Sequence, residues 1–333
     1  MNGNRFGVTR RQGLVFIGAA AGALPINVTN AWGQSFPAKP IRIVLPVGPG
    51  SGLDARAREV AQKLSDILGQ SVVVENRPGA GGIIAMNLVA KAPADGYTLA
   101  LAGIAPVAYY SALYRKLPFS PDDFAPVSLL ATGPSSVYAS AEFTARSVEE
   151  LVAHAKGRPG MLSFASQGVG TFQHLAGEWF KVVAGVDLLH VPYKEYGQLL
   201  TDLETGRVTL LFDSTGAVLP HVQGGKLKAF AVTGAHRLGS LPDVPTFAEA
   251  GLPAYEPGIN YGVFAPTSTP QSVIETLSVA CAKVQRSKEV QDILARFGFT
   301  SLGTTPSEFS SYIAKERERW IKVVKASGAQ LEY

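Results

Sequence analysis

The 333-residue sequence holds one cysteine, Cys281. An internal disulfide is therefore excluded, and the fold must rest on packing and hydrogen bonding. Cys281 falls on one helical face with Val273, Leu277, Ala280 and Val284, so it reads as a small buried hydrophobe rather than a reactive thiol. Runs of like charge are also missing, and with them the basic stripe that nucleic-acid binding needs. The histidines (His154, His174, His190, His221 and His236) show neither HxxxH nor HExxH spacing, so no metal site is expected. No GxSxG elbow is present, because Ala165-Ser166-Gln167-Gly168 lacks the first glycine. Beyond residue 33 no apolar run is long enough to cross a bilayer.

What is present begins with an address. Arg5, Arg10 and Arg11 precede an apolar small-residue run over 13–26, and Ala31-Trp32-Gly33 supplies small residues for cleavage. We read 1–33 as a secretory signal peptide and the destination as the periplasm. The stretch 9–14 resembles a twin-arginine export motif, although paired arginines also occur in ordinary signals. Without the three arginines, 27 Lys and Arg face 26 Asp and Glu, so the mature chain is close to neutral. Its roughly 300 residues exceed what one core usually holds, which predicts two lobes.

Apolar, β-rich runs alternate with helical periodicity. Strands are expected at 41–45, 71–75 and 98–101, with helices over 53–68 and up to residue 90 between them. The pattern restarts after 147. Ser147 with Glu150 marks a helix start, and strands follow at 162–165, 190–193, 209–212 and 227–232, with helices over 171–183 and 199–204. Such alternation means parallel sheets with helices on their faces. Three helices close the chain, over 271–285, 288–297 and 306–326. The last carries Phe309, Tyr312, Ile313, Trp320, Val323 and Val324 on one face, and its mixed-charge stretch 315–319 reads as a solvated face.

Three glycine turns, at 48–52, 78–82 and 168–170, each follow a strand and open a helix. That place is the carboxyl end of a parallel strand, where α/β proteins bind ligands. A helix N-terminus offers unpaired amides and partial positive charge, so it favours a carboxylate or phosphate. His174, one turn into its helix, reads as a packed or capping residue. Asp54 and Asp213 suit either turn chemistry or water-bridged ligand contact. The run 48–52 followed by Glu75 also imitates a dinucleotide-binding unit, but Leu53 stands where GxGxxG needs glycine and Glu75 comes 27 residues after Gly48.

The motifs resemble one family closely. Residues 46–54 resemble its PxxPGGxxD loop, and Glu75-Asn76-Arg77-Pro78-Gly79-Ala80-Gly81-Gly82 matches its ENRPGAGG signature in full. Asp95-Gly96-Tyr97-Thr98-Leu99, Ser166 with Gly168 and Gly170, and His174-Leu175-Ala176-Gly177-Glu178 are similar to further family stretches. This is the Bug family, the binding proteins of tripartite tricarboxylate transporters. The resemblance implies an α/β, two-lobed periplasmic-binding-protein fold of the Venus flytrap, type II-like kind with two chain crossovers. Lobe 1 would comprise 36–134 plus 235–333, and lobe 2 would comprise 135–234. It implies a monomer that captures a small carboxylate-bearing molecule for membrane subunits of a tripartite transporter, with no cofactor, no nucleic-acid partner and no catalysis. The candidate ligand contacts are Val47, Gly48, Gly50, Ser51, Gly52, Asp54, Ile104, Ser166, Gly168, Gly170, Thr171, Tyr193, Glu195 and Asp213. Val47, Ser51 and Leu53 depart from the family's loop, residues 102–106 lack its polar groups, and Glu195-Tyr196 replaces glycines. These departures point away from tricarboxylates, toward a monocarboxylate or a carboxylate with an apolar or aromatic body, where any amine on the ligand could meet Glu195. Two alternatives remain: a ligand sensor for a membrane signalling partner, and a dinucleotide-dependent exported enzyme.

Overall fold

The computed structural model describes residues 36–328, so the expected signal peptide at 1–33 lies outside the described residues. β1 (Ile41–Leu45) is buried at four of five positions, as befits a strand covered on both faces. α1 (Gly52–Leu68) begins where the Ser51 side chain accepts the Asp54 amide and ends where Gly69 turns left-handed at φ 67°. Its stripe of Leu53, Ala57, Val60, Ala61 and Leu64 shares one core with Ile41, Ile43 and Leu45. β2 (Val72–Asn76), α2 (Ile83–Ala90) and β3 (Thr98–Ala102) follow. β2 and β3 flank β1 in parallel on opposite sides. The strand order therefore reverses beside β1, which opens a crevice at the carboxyl ends.

Two short helices, α3 (Ala105–Ala108) and α4 (Tyr110–Leu113), lead into β4 (Phe124–Ser140). The next unit runs α5 (Val148–Gly157), β5 (Ser163–Ser166), α6 (Phe172–Ala184), β6 (Leu189–Pro192), α7 (Tyr196–Glu204), β7 (Leu210–Ser214), α8 (Thr215–Gln223) and β8 (Leu227–Val232). The chain ends with β9 (Gly258–Pro266), α9 (Gln271–Arg286), α10 (Lys288–Arg296), β10 (Thr300–Ser301) and α11 (Pro306–Ser327). α11 starts at a Thr305–Glu308 capping box with Pro306 in its first position, both strong start signals.

β4 ties the sheet together. Up to Pro134 it pairs antiparallel with β9, and from Ser135 it pairs antiparallel with β7 and β8. The sheet order is β2-β1-β3-β9-β4-β7-β5-β6, with β10 and β8 also on β4. The chain thus crosses between the halves twice, along β4 and again between β8 and β9. Strand β5 pairs in parallel with β6 and β7, a second reversal of strand order.

Most expected elements lie within a residue or two of their observed bounds. β4, β9 and α8 were not anticipated. One surface expectation is overturned: the stretch 315–319 is not simply solvated. Glu316 is buried, Arg317 donates to the Val107 carbonyl at 2.7 Å, and Arg319 bonds Glu256 while lying 4.8 Å over the Trp179 ring. Arg317 thereby satisfies a carbonyl at the end of α3, where α11 packs against it. Cys281 is buried, as its helical face suggests, and burial pushes its thiol up to about 12.

Candidate functional site

A cavity of about 1000 Å³ opens at the carboxyl ends of β1, β3, β5 and β7. Its wall takes residues from the loops after all four strands, from the turn 78–82, from β9, and from α11 through Trp320. The N-terminal ends of α1, α6, α7 and α8 all contribute to it. The charged side chains on this wall are Lys194, Glu195 and Asp213. An anion here would therefore meet helix N-termini rather than arginines.

The loop before α1 is held from behind. Asp54 accepts the Gly50 amide at 3.0 Å, the Asn76 amide at 2.9 Å and the Arg58 guanidinium at 3.2 Å. Asn76 also donates to the Val47 carbonyl at 3.1 Å. Burial works to raise the Asp54 carboxyl, but the bonds from Arg58, Gly50 and Asn76 overcome it and hold the group below the usual carboxylate range. Gly50 sits at φ 82°, where a side chain is strained. Ser51 takes only the Asp54 amide. The first helical amides, Gly52 and Leu53, have no intrahelical partner by geometry, and both residues line the cavity.

The loop before α6 is built differently. Thr171 stands at the N-cap but makes no cap bond, because its hydroxyl donates to the Gly168 carbonyl at 2.7 Å. The amides of Phe172 and Gln173 have no intrahelical partner, and both residues line the cavity. His174 Nδ1 accepts the Gly170 amide at 3.2 Å, the capping role expected for it. Gln173 joins two loops, accepting the Gln167 amide and donating to Asp213, each at 2.8 Å. Asp213 also accepts Tyr196 at 2.9 Å, and burial raises its carboxyl.

Behind this turn, Ser166 lies 2.6 Å from His190 Nε2, and the His190 ring packs 4.2 Å from His174. Burial first, then nearby positive charge, lowers His174 to about 3 and His190 to about 4. Spacing alone did not bring these two histidines together. Ser166 is wholly buried, His190 is half-buried, and neither lines the cavity, so the pair fixes the turn from behind.

Of the sequence candidates, Val47, Gly48, Ser51, Gly52, Ile104, Gly168, Thr171, Tyr193, Glu195 and Asp213 line the cavity. Gly50, Asp54, Ser166 and Gly170 stand behind it and shape the loops. The Ile104 amide is taken by Asn260 at 2.8 Å, and the Tyr193 hydroxyl by Asp202 at 3.1 Å, so each presents its apolar part. Glu75 is engaged by Arg42 and Arg77 and does not line the cavity, which removes the ribose-binding role in the dinucleotide reading. Sequence reasoning missed Asn76, Gln173, Tyr196 and Asn260 as positioning residues. It also missed the aromatic wall of Tyr109, Tyr110, Tyr114, Phe172 and Trp320. The two halves touch at the rim, where the Tyr114 hydroxyl donates to the Val169 carbonyl at 3.1 Å.

Residues 56–329 match the family described as tripartite tricarboxylate transporter family receptor, TctC. Among solved structures, Rpa4515 of R. palustris with adipate is 35% identical, with a TM-score of 0.84 over 89% of this chain and 100% of that one. The periplasmic binding protein BugD is 31% identical, with a TM-score of 0.83 over 90% and 100%. MatC (Rpa3494) from Rhodopseudomonas palustris with bound malate is 30% identical, with a TM-score of 0.82 over 87% and 100%. With the family match over residues 56–329 and these solved relatives covering 87–90% of the chain, the chain belongs to the tripartite tricarboxylate transporter receptors, the Bug family of periplasmic solute-binding proteins.

Proposed function

We propose that the protein captures a small carboxylate with an apolar or aromatic body and delivers it, chemically unchanged, to the membrane subunits of a tripartite transporter. The observation that carries this reading is the pair of incompletely capped helix N-termini, α1 from one half and α6 from the other, facing one cavity. One carboxylate meeting amides of both would favour the closed arrangement of the halves. Bound adipate and malate in two relatives support the ligand class. Residues 36–134 plus 235–333 and residues 135–234 would move as the two lobes, in a monomeric protein exported through the 1–33 signal by the twin-arginine or the general route. Glu195, exposed on the rim, would meet an amine where the ligand carries one. The Ser166–His190 pair, which stands outside the cavity wall, and a wall without a nucleophile–base set favour binding over catalysis.

Thermal denaturation of residues 34–333 against carboxylates and their matched amides tests this reading. A carboxylate at about 100 times its Kd adds ~2.7 kcal/mol, or a shift of about 4 °C for this length. Equal shifts with the amides, or conversion of the recovered ligand, would contradict it.

A further inference from the structure

We infer that Asn260 is a specificity determinant: beyond its carboxylate and apolar body, the ligand carries a second acceptor oxygen that takes a hydrogen bond from the Asn260 side-chain amide. This rests on the carboxylate reading above and adds a second point of recognition to it. Asn260 lies in β9, lines the cavity and is 8% exposed. Its orientation is fixed, because Oδ1 accepts the Ile104 amide at 2.8 Å. A backbone N–H can only donate, so the oxygen must face Ile104 and the NH2 group turns away from it. That group carries two donor hydrogens. The Tyr312 hydroxyl on α11 stands close enough to take one. The other has no partner among the described residues, and the nitrogen is not one of the side-chain atoms that burial seals off. Buried donors are normally paired, and a ligand that displaces water from one without replacing the bond loses affinity.

The sheet sets this donor apart from the carboxylate. Side chains alternate along β9. Tyr261 points toward α1, where its hydroxyl lies 4.0 Å from a Cβ built on Gly52, whereas Gly262 faces α11, where a Cβ would strike the Phe309 ring. Asn260 shares the α11 side with Gly262, and with it the wall formed by Trp320 and its ring neighbour Tyr109. β3 stands between β1 and β9, so the two strands are about 10 Å apart. A carboxylate on the amides of α1 and an acceptor on Asn260 are therefore the two ends of one ligand, with its apolar body between them. Local charge admits a neutral or an anionic oxygen at the far end. Arg317 is a cation whose acceptor is the neutral Val107 carbonyl, and it offsets the buried Glu316 beside it. The shared chemistry is the acceptor, a ketone, ester or carboxylate oxygen.

The test is calorimetric titration of residues 34–333 with two size-matched series. One is heptanoate, 6-oxoheptanoate, adipate and 6-aminohexanoate; the other is 4-ethylbenzoate, 4-acetylbenzoate, terephthalate and 4-(aminomethyl)benzoate. Heptanamide and 4-ethylbenzamide serve as uncharged controls. The titrations are repeated on Asn260→Asp, which keeps an oxygen for the Ile104 amide and replaces the donor with a second acceptor. In the series that binds, the oxo acid or the diacid should bind the wild type about two- to tenfold tighter than the plain acid, with the amino acid weakest. The tighter of the two tells whether the far oxygen is neutral or anionic. Asn260→Asp should reverse the order and prefer the amino acid. Each preference is a ratio within one protein, so a general loss of affinity cancels. In the wild type, the NMR signal of the Asn260 side-chain amide should shift more with the preferred acid than with the plain one, which keeps the test open should the aspartate variant fold poorly. Equal binding of plain and acceptor-bearing acids to the wild type, an advantage that survives Asn260→Asp, or an Asn260 signal indifferent to the acceptor would overturn the inference and leave the carboxylate reading intact. If the amides bind like their acids, or no acid binds, the carboxylate reading itself falls and the inference with it.

Discussion

Substituting Gly170 by alanine sets backbone strain and interlobe contact against each other. Gly170 adopts φ 83°, and a Cβ there would meet the Tyr114 hydroxyl across the rim, with the ring carbon behind it at 3.1 Å. A side chain in the left-handed region costs about 1–2 kcal/mol. Open and closed forms bear that cost alike, so it lowers the melting temperature by about 2–3 °C and leaves affinity untouched. The overlap with Tyr114 exists only when the halves meet. Relieving it breaks the Tyr114–Val169 hydrogen bond, worth about 0.5–1.5 kcal/mol, and separates the amides of α6 from those of α1. Affinity should therefore fall by about two- to tenfold in Gly170→Ala. Adding Tyr114→Phe removes the hydroxyl that the Cβ would strike and should restore part of the loss, so the double variant binds better than additivity predicts. Calorimetry on the four proteins of this cycle gives the coupling. A well-folded Gly170→Ala protein with wild-type affinity, or strictly additive effects, would refute the idea that ligand is held by closing these two loops together.

Other outcomes follow from the loops behind the cavity. Asp54→Asn should destabilise the protein by about 1–3 kcal/mol at neutral pH, because charge-assisted bonds to Arg58 and to the Gly50 amide are weakened. The folded-state carboxyl lies below its unfolded value near 3.9, so the wild-type advantage should fade as pH drops through that range, which denaturant titrations at pH 7 and 3 would show. His190, held neutral by burial to about 4, should make stability fall as pH drops from 6.5 toward 4, a slope that His190→Gln flattens. Asp213 works in the opposite sense. Its raised carboxyl contributes stability that is fully present below about 3.9 and lost as pH rises through the folded value, so Asp213→Asn should remove that dependence. Gly50→Val should abolish binding while the fold persists: the space around it is open, yet φ 82° excludes a β-branched residue and the loop must reorient.

The alternating elements were legible because each strand of the parallel regions is a compact apolar run bounded by glycine turns. β4 was not, because Pro126 and Pro134 interrupt it and read as breaks. In the structure Pro126 falls at a register shift against β9, and Pro134 falls where β4 changes partners, so neither proline interrupts the strand. The glycine turns and Thr171, which contribute to the cavity wall, could be singled out from helix chemistry alone. The aromatic wall was not, because Trp320 sits in a stripe with helical spacing that periodicity assigns to the core. Only the return of α11 beside α3 and α6 turns that residue toward the cavity. Asn76 was visible within the signature motif, but its bonds to Val47 and Asp54 depend on how two loops meet.

Hydrogen–deuterium exchange of the mature protein, with and without a bound carboxylate, tests the central claim most directly, because it reads the amides proposed to hold the ligand. Segments spanning 47–55 and 167–174 should both gain protection with the acid and neither with its amide. Protection in one segment alone, or equal protection by acid and amide, would contradict a carboxylate gripped by helix N-termini from both halves.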